Sequence, residues 1–155
     1  MTGYNPTDRG KLGSKRHILT DKDGIPLSTF ITSANTHDVT VATNTIDNIV
    51  IRRPSYNKSS EHKQNLCLDK AYHSKEVEQE IIKREYIPHI RHRREAKKLL
   101  HRKKHPARRW VVERTNSWHN RFRKLFTRYE KKDENYLGLV QLANSLIVYR
   151  RIILG

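Results

Sequence analysis

The sequence predicts a mixed α/β fold, because strand patterns and helix patterns alternate along its 155 residues. Residues 15–33 read as two strands joined at 21-DKDG-24, where Asp and Gly supply the backbone angles that tight hairpins require. Residues 66–68 form an apolar run too short for a helix, and 86-YIPHI-90 is a further short strand pattern. The segments between and after these strands have helical spacing, which predicts a sheet with flanking helices.

Two helices are predicted in the first half of the chain. The first follows 34-ANTHD-38, with Asp38 as its N-cap. Its apolar residues recur near helical spacing at Val39, Ala42, Ile46, Ile49 and Val50. The second begins after the N-cap residue Ser74 and carries Val77, Ile81 and Ile82. Residues 52–64 hold proline, serines and charges without periodicity, which predicts a surface loop.

Helices are also predicted to close the chain. From Pro106 onward, the pattern RRWVVERTNSWHNRFRKLFTRYE is helical over its length. Steps of about 100° per residue place an apolar face, expected to be core, at Trp110, Val111, Trp118, Phe122, Leu125 and Phe126. A second stripe borders that face and holds Arg109, Glu113, Asn120 and Lys124. A last helix, from Glu134 to about Ile153, is so broadly apolar that we expect it to serve packing.

The charge of the chain indicates a polyanionic partner. Lys and Arg number 32 against 16 Asp and Glu, which gives a formal net charge of +16 and a pI near 10.2. A surface this basic attracts nucleic acid by releasing counterions, whatever the base sequence. Residues 91–109 concentrate the positive charge, and we interpret them as a loop or frayed helix that faces nucleic acid. A solvated basic face without a ligand is the alternative interpretation.

Composition also limits the compartment. No apolar run approaches the roughly 20 residues that span a bilayer. The N-terminal residues MTGYNPTDRGKLGSKRH lack the apolar region of a signal peptide, and a single cysteine, Cys67, cannot form an internal disulfide. We therefore expect a soluble cytoplasmic protein without a membrane partner, and a length of 155 residues fits one domain.

Two acids stand out in this basic chain. Asp69 ends the predicted strand at residues 66–68, and ligands of open α/β sheets gather outside the carboxyl ends of strands. Glu113 is the only acid on its predicted helix stripe. Mg²⁺ prefers such hard oxygen ligands, and paired metal ions assist phosphodiester displacement. Isolated acids in a basic protein are also common salt-bridge partners, so spacing alone leaves both roles open.

Four phrases of the sequence resemble the catalytic half of insertion-sequence transposases of the DDE type. They are NPTDRGKLGSKRHILTDKDGIPL, SANTHD, NLCLDKAY and RRWVVERTNSWHNRFRKL, in the order that the family shows them. The resemblance covers nearly the whole chain and implies a partial DDE catalytic domain over residues 1–155, with an RNase H-like fold. It also implies divalent metal ions, Mg²⁺ or Mn²⁺, held by Asp69 as the second catalytic aspartate and Glu113 as the final glutamate.

The resemblance extends to a Tyr-x2-Arg-x3-Glu-x6-Lys signature, of which this chain keeps Arg109 and Glu113. Pro106 stands in the place of the tyrosine and Asn120 in the place of the lysine, while Lys124 on the same predicted stripe offers a substitute phosphate contact. The resemblance thus implies DNA-binding roles for Arg109, Lys124, Asn120, Lys70 and Tyr72. Packing over a strand end is an equally good reason for a tyrosine at position 72.

Other polar residues have simpler explanations. His37 and Asp38 resemble a recurrent turn of the family, but capping of the first helix explains Asp38, so both are left out of the predicted metal site. His89 and His92 stand in or next to basic sequence, and with only one cysteine in the chain a structural zinc site is not expected.

The first catalytic aspartate of the family has no convincing counterpart in this chain. The family's fold begins with a central strand that bears this residue, whereas the first predicted strand here corresponds to the second strand of the family. Asp8, Asp21 and Asp23 fall in a leader or a turn. We therefore expect a sheet that lacks its first central strand, and a chain that needs an upstream reading frame, fused by frameshift, to complete its site.

The resemblance implies DNA as partner, both the ends of a mobile element and its target, together with a homo-oligomer on DNA in the bacterial cytoplasm and nucleoid. Two alternatives remain. The chain is a catalytically inactive remnant that only binds DNA, or it is a stand-alone RNase H-like nuclease.

The charge of +16 predicts duplex DNA binding with little sequence preference and a steep dependence on salt. If about six phosphates are neutralised, log affinity should fall against log salt concentration with a slope on the order of −5. Fluorescence anisotropy with two unrelated duplexes measures both properties. Binding that is unchanged between low and physiological salt would contradict the electrostatic interpretation.

Overall fold

The computed structural model describes residues 2–51, 63–90 and 109–155. The chain divides into two compact units. The first unit combines Met1–His37, Asn44–Ile51 and Trp110–Gly155, and the second combines Asp38–Thr43 and Arg52–Arg109. Most of the predicted loop at 52–64 and most of the basic run at 91–109 lie outside the described residues. One domain over residues 1–155 stays a prediction.

The described residues form a mixed α/β structure, as the sequence predicts. The strands are β1 (Gly3–Tyr4), β2 (Leu12–Thr20), β3 (Pro26–Ser33), β4 (Gln64–Leu68) and β5 (Tyr86–Ile90). The α-helices are α1 (Ala42–Asp47), α2 (Lys75–Lys83), α3 (Arg109–Asn120), α4 (Arg123–Phe126) and α5 (Asp133–Val148). Short 3-10 turns lie at Asp38–Val41 and Lys70–Tyr72, and a π-helical turn at Tyr149–Ile153 follows α5. The RNase H-like arrangement and the missing central strand stay predictions.

The predicted hairpin is confirmed as an antiparallel pair of β2 and β3 in the first unit. Its turn is held by Asp21, whose Oδ1 accepts hydrogen bonds of 2.8 Å from the backbone N–H groups of both Asp23 and Ile25. Gly24 has a φ of 81°, a backbone angle that residues with a Cβ atom rarely adopt. β1, which the sequence did not reveal, pairs with the start of β2 and extends this sheet to three strands.

The first predicted helix is shorter than expected. The chain forms a 3-10 turn at Asp38–Val41 before α1 begins, and α1 ends at Asp47. Val41, Ala42 and Ile46 are buried, whereas Val50 is exposed beyond the helix. The apolar spacing therefore predicts the helix correctly, but the C-terminal end that it predicts lies too far along the chain.

The buried face of α3 is more polar than the sequence predicted. Val111, Thr115 and His119 are the buried residues of this helix. Trp110 was expected in the core, but its side chain is 53% exposed. The spacing of four residues is the one that a helix uses to bury a face, and two of its three positions hold polar side chains.

A chain of partly buried hydrogen bonds connects α3 with α5 and β3. His119 Nε2 lies 2.7 Å from Asn144 Oδ1, and Asn144 Nδ2 donates to Thr29 Oγ1 at 2.8 Å. Since the amide nitrogen of Asn144 donates to Thr29, its oxygen must accept from His119, so the neutral imidazole carries its proton on Nε2. His119 Nδ1 has no hydrogen-bond partner within the part of the chain that the structure describes.

The long helix predicted from Pro106 onward is interrupted. Phe122 adopts an extended conformation between α3 and α4, with φ −87° and ψ 104°. Tertiary contacts explain the break: Leu125 is buried with α5, and its carbonyl oxygen accepts from the Tyr136 hydroxyl at 3.1 Å. Phe126, expected in the core, is 70% exposed. Lys124 therefore lies on α4, and its predicted place on the α3 stripe is wrong.

The last helix buries one face and exposes the other. The buried residues of α5 are Tyr136, Val140, Ala143 and Ile147, and the first three form a core cluster with Leu125. Leu142 in α5 and Ile153 in the π-helical turn are exposed. The predicted role in packing is confirmed for one face of this helix.

Arg128 connects the turn before α5 with two elements of the first unit, α5 and β2. Its Nη2 donates to Asp133 Oδ1 at 2.6 Å, and its Nη1 donates to the Ser14 hydroxyl on β2. The guanidinium carbon also lies 5.1 Å from the ring centroid of Tyr136 on α5. An arginine satisfied by a carboxylate, a hydroxyl and a ring at once fixes the turn before α5 against the sheet.

The second unit contains a parallel pair of strands, β4 and β5, connected through α2. Val77 and Ile81 of α2, Leu66 of β4 and Tyr86 of β5 are buried. Ser74 is the N-cap residue of α2 as predicted, although its hydroxyl donates to Glu76. Cys67 belongs to the apolar run at residues 66–68 but is exposed, because only alternate residues of β4 face inward.

None of the helices in residues 2–51, 63–90 and 109–155 is long and apolar enough to cross a membrane.

The burial of His119 predicts a loss of stability in mild acid. Burial, and to a smaller extent the charge of Arg16, lowers the pKa of His119 below its ordinary value of 6.5, although the bond to Asn144 acts in the opposite direction. The unfolded chain therefore binds a proton near pH 6.5 that the folded chain binds only at lower pH. This stability is fully present above pH 6.5 and is lost as the pH falls through the lowered pKa.

Urea unfolding at about pH 7.5 and about pH 5.5 checks this expectation. The His119→Gln variant should show a smaller difference between the two values than the parent, since it removes the group that titrates. An unchanged difference in His119→Gln would contradict the assignment.

Candidate functional site

Asp69 stands where the sequence predicted it, directly after β4. Its backbone is extended, with φ −70° and ψ 162°, and the chain then turns into the 3-10 segment Lys70–Tyr72. One carboxylate oxygen accepts a hydrogen bond of 2.6 Å from the backbone N–H of Lys70. Asp69 is exposed, so its carboxylate is directed by the backbone and accessible from solvent.

Asp38 belongs to the surroundings of Asp69, although the sequence analysis left it out of the site. The 3-10 turn at Asp38–Val41 packs against the 3-10 turn at Lys70–Tyr72 within the second unit. The pKa of Tyr72 is raised to about 12, chiefly by burial. The charge of Asp38 and then that of Asp69 contribute the rest of the increase. The family-like phrase SANTHD is the sequence signal for this neighbour, which the explanation of Asp38 as a helix cap leaves unused.

Tyr72 is therefore a neutral phenol whose pKa two nearby acids help to raise. Its side chain is half-buried, which is compatible with packing and with a DNA contact alike, so both roles stay predictions. A neutral hydroxyl near a carboxylate is a hydrogen-bond donor, whereas a phenolate there would be repelled. Tyr72 thus adds a polar group without adding negative charge to this acidic corner.

Glu113 lies on the exposed side of α3, in the first unit. The next two residues attach the helix to the turn between β2 and β3. Arg114 Nη2 donates to the carbonyl oxygen of Asp23 at 2.6 Å, and Thr115 Oγ1 donates to that of Gly24 at 2.7 Å. The helix segment that carries Glu113 is thereby fixed to a tight turn.

Aromatic rings enclose the guanidinium of Arg114. Its central carbon lies 4.7 Å from the ring centroid of Trp110 and 5.3 Å from that of Trp118. The guanidinium carbon of Arg151, in the π-helical turn, also lies 5.5 Å from the ring centroid of Trp118. Two arginines and two tryptophans thus alternate along one side of α3, and each contact is a cation–π interaction.

The residues expected to contact DNA have different surroundings. Lys70 and Lys124 are exposed, and Asn120 is exposed but accepts a hydrogen bond of 3.1 Å from Arg16 Nη2. Arg109 is the first residue of α3. Arg16 was missed in the sequence, because a strand residue carries no signal that it will reach the end of a helix about a hundred residues later.

Asp69 and Glu113 belong to different units, so their pairing in one site stays a prediction from the resemblance. Within the described residues, no three His, Cys, Asp or Glu side chains form a group that could hold a metal ion. His89 Nε2 lies 2.9 Å from Asn65 Oδ1 across the two strands of the second unit. His92 lies outside the described residues.

The donor chemistry of the two acids fits a hard divalent cation. Both side chains are exposed carboxylates, and Asp69 is held by a backbone N–H that fixes its direction without neutralising its charge. The two acids therefore have the right ligand type and accessibility for Mg²⁺ or Mn²⁺.

Comparison with known proteins agrees with the sequence resemblance. Residues 2–148 match the family model described as the transposase DDE domain. Over 151 residues the chain is 34% identical to the putative transposase for insertion sequence element IS402 of Burkholderia cepacia, a match that covers 97% of this chain and 70% of that protein. No solved structure matches the chain.

The burial of Tyr72, together with the charges of Asp38 and Asp69, predicts that its phenol stays protonated well above the ordinary tyrosine value of 10.0. The difference in ultraviolet absorbance between the parent and Tyr72→Phe isolates this group during an alkaline titration. The difference transition should fall near pH 12 and should move to lower pH in Asp38→Asn, since that change removes a nearby negative charge. A transition at 10.0 that is insensitive to Asp38→Asn would contradict this placement of Asp38.

Proposed function

Since the chain belongs to the family of transposase DDE domains, we propose that it takes part in DNA transposition by cleaving and joining DNA strands. The proposed reaction is metal-dependent attack of water or a 3′-hydroxyl on a phosphodiester, on an RNase H-like fold. The observation that carries the proposal is Asp69, an exposed carboxylate directed by a backbone N–H at the end of β4.

Asp69 and Glu113 are the proposed ligands of the divalent ion, Mg²⁺ or Mn²⁺. When bound, such ions stabilise the attacking and leaving oxygens of the displacement. Asp69 contributes a carboxylate whose orientation is set before any ligand arrives, because the Lys70 N–H already holds one of its oxygens. Glu113 contributes a carboxylate from a helix whose position the β2–β3 turn determines.

The DNA-binding role proposed for the basic residues follows from their exposure and charge. Lys70 stands next to Asp69 in sequence and is exposed, so its ammonium group can contact a phosphate near the reacting bond. Lys124 offers an exposed charge from α4, and Arg109 stands four residues before Glu113. Asn120 and its partner Arg16 present an amide and a guanidinium together. Tyr72, as a neutral phenol, is a donor to a phosphate oxygen.

The proposed partners are the ends of the mobile element and its target DNA, on which two or more copies assemble in the bacterial nucleoid. The net charge of +16 supports the interaction with DNA and gives no information about the number of copies.

The Asp69→Asn and Glu113→Gln variants of the full-length transposase should each lose strand cleavage by at least about 100-fold while keeping DNA affinity. Each change removes an anionic metal ligand and leaves the basic surface intact. Cleavage of labelled element ends with Mg²⁺, and DNA binding by anisotropy, measure the two properties separately.

The exposed Glu134→Gln in α5 is a matched control and should keep full cleavage. Retained cleavage in Asp69→Asn or Glu113→Gln would remove that residue from the site. DNA binding without any cleavage by the parent would favour an inactive remnant.

A further inference from the structure

The turn between β2 and β3 holds α3 at two consecutive residues. The carbonyl oxygens of Asp23 and Gly24 accept from Arg114 and Thr115, respectively, and we call these four residues the turn clamp. Both hydrogen bonds join residues 91 positions apart in the chain. They form just after Glu113, so the clamp acts on the helical turn that carries this acid.

In the turn clamp, Gly24 lies close to the side chains of Arg114 and Thr115. A Cβ built on Gly24 would lie 3.2 Å from Arg114 Nε and 3.2 Å from Thr115 Oγ1. Gly24 therefore allows the close approach of the turn to α3, and its φ of 81° sets the direction of its carbonyl oxygen. A methyl group there requires the Arg114 and Thr115 side chains to shift by a few tenths of an ångström.

The guanidinium of Arg114 is also fixed from its two faces. Trp110 and Trp118, one helical turn before and after it, place their rings 4.7 Å and 5.3 Å from its central carbon. A long side chain ordinarily samples many rotamers, but stacking between two indoles restricts this one to the direction of the turn. Lysine has the same charge but lacks the planar group that fits between two rings.

These contacts oppose a rotation of α3 about its axis. Glu113 precedes Arg114 by one residue, so a rotation that breaks the Arg114 bond also swings the Glu113 carboxylate around the helix. Displacement of a reacting or ligating group by about 1 Å costs on the order of 100-fold in rate. A buried Thr115 and a stacked Arg114 thus determine where the acid stands.

We propose that Arg114, through the turn clamp, is a positioning residue that sets the Glu113 carboxylate for metal binding. The inference rests on the proposed function, since it takes Glu113 as a ligand of the divalent ion. It assigns Arg114 no contact with the metal or with DNA. Loss of the clamp should weaken metal binding through Glu113 without unfolding the protein.

The first test measures Mn²⁺ affinity of the protein by calorimetry, which requires no catalytic turnover. Arg114→Lys keeps the charge and removes the stacked, forked donor. It should weaken Mn²⁺ binding by about 10- to 100-fold, as loss of the groups that orient metal ligands generally does. The matched control is Arg121→Lys in the exposed turn after α3, which should bind Mn²⁺ as the parent does.

The second test compares two glycines with similar backbone angles. Gly24 has a φ of 81° and Gly10 a φ of 70°, but a Cβ on Gly10 would meet nothing within 4 Å. Both Gly24→Ala and Gly10→Ala carry backbone strain and should lower the thermal midpoint. Only Gly24→Ala should also weaken Mn²⁺ binding, because only that change presses on the clamp.

Glu113→Gln separates this inference from the proposed function. If Glu113→Gln weakens Mn²⁺ binding while Arg114→Lys and Gly24→Ala bind Mn²⁺ as well as the parent does, the positioning role is rejected and Glu113 remains a ligand. If Glu113→Gln binds Mn²⁺ unchanged, the proposed metal site and the positioning role both fail. Weakening by Arg114→Lys and Gly24→Ala, but not by their controls, supports the positioning role.

Discussion

The arrangement of the first unit depends on the need to satisfy the polar side chains that α3 buries. Thr115 and His119 are both fully buried, and a buried donor without a partner costs about 1–3 kcal/mol. The Thr115 hydroxyl donates to the carbonyl oxygen of Gly24, and His119 forms a hydrogen bond with Asn144. An apolar helix face can slide or rotate with little loss of free energy, whereas these two hydrogen bonds form at only one position and rotation of the helix. Polar burial thus fixes the helix that carries Glu113.

Arginine side chains in this protein form stabilising contacts with groups other than carboxylates, which are scarce in the chain. With 32 basic side chains and 16 acidic ones, at least half of the basic groups have no acid of their own. The buried or half-buried arginines contact carbonyl oxygens and rings as well: Arg16 reaches the carbonyl oxygen of Leu125, and Arg128 contacts the Tyr136 ring. These contacts neutralise no acid, so the excess of positive charge remains available to attract DNA.

The sequence predicted the local structure well, because local structure follows from spacing and turn chemistry. The hairpin at DKDG, the strand before Asp69 and the cap at Ser74 all depend on neighbouring residues. The core of α3 was predicted poorly, since Trp110 has an apolar side chain but stacks on Arg114 at the surface. The break at Phe122 and the approach of Asp38 to Tyr72 depend on contacts distant in sequence, and periodicity contains no information about such contacts.

The division of the chain has a consequence for the order of folding during synthesis. The first unit is assembled from segments on both sides of the second unit in the sequence, and its hairpin turn is held by residues 91 positions later. Closing such a loop costs conformational entropy, and the partners of the hairpin leave the ribosome only after residues 52–109 have emerged. The β2–β3 hairpin must therefore wait, with its apolar side uncovered, until α3 and α5 have been translated. The nascent chain is consequently most exposed to aggregation and to chaperones before its helical C-terminal part appears.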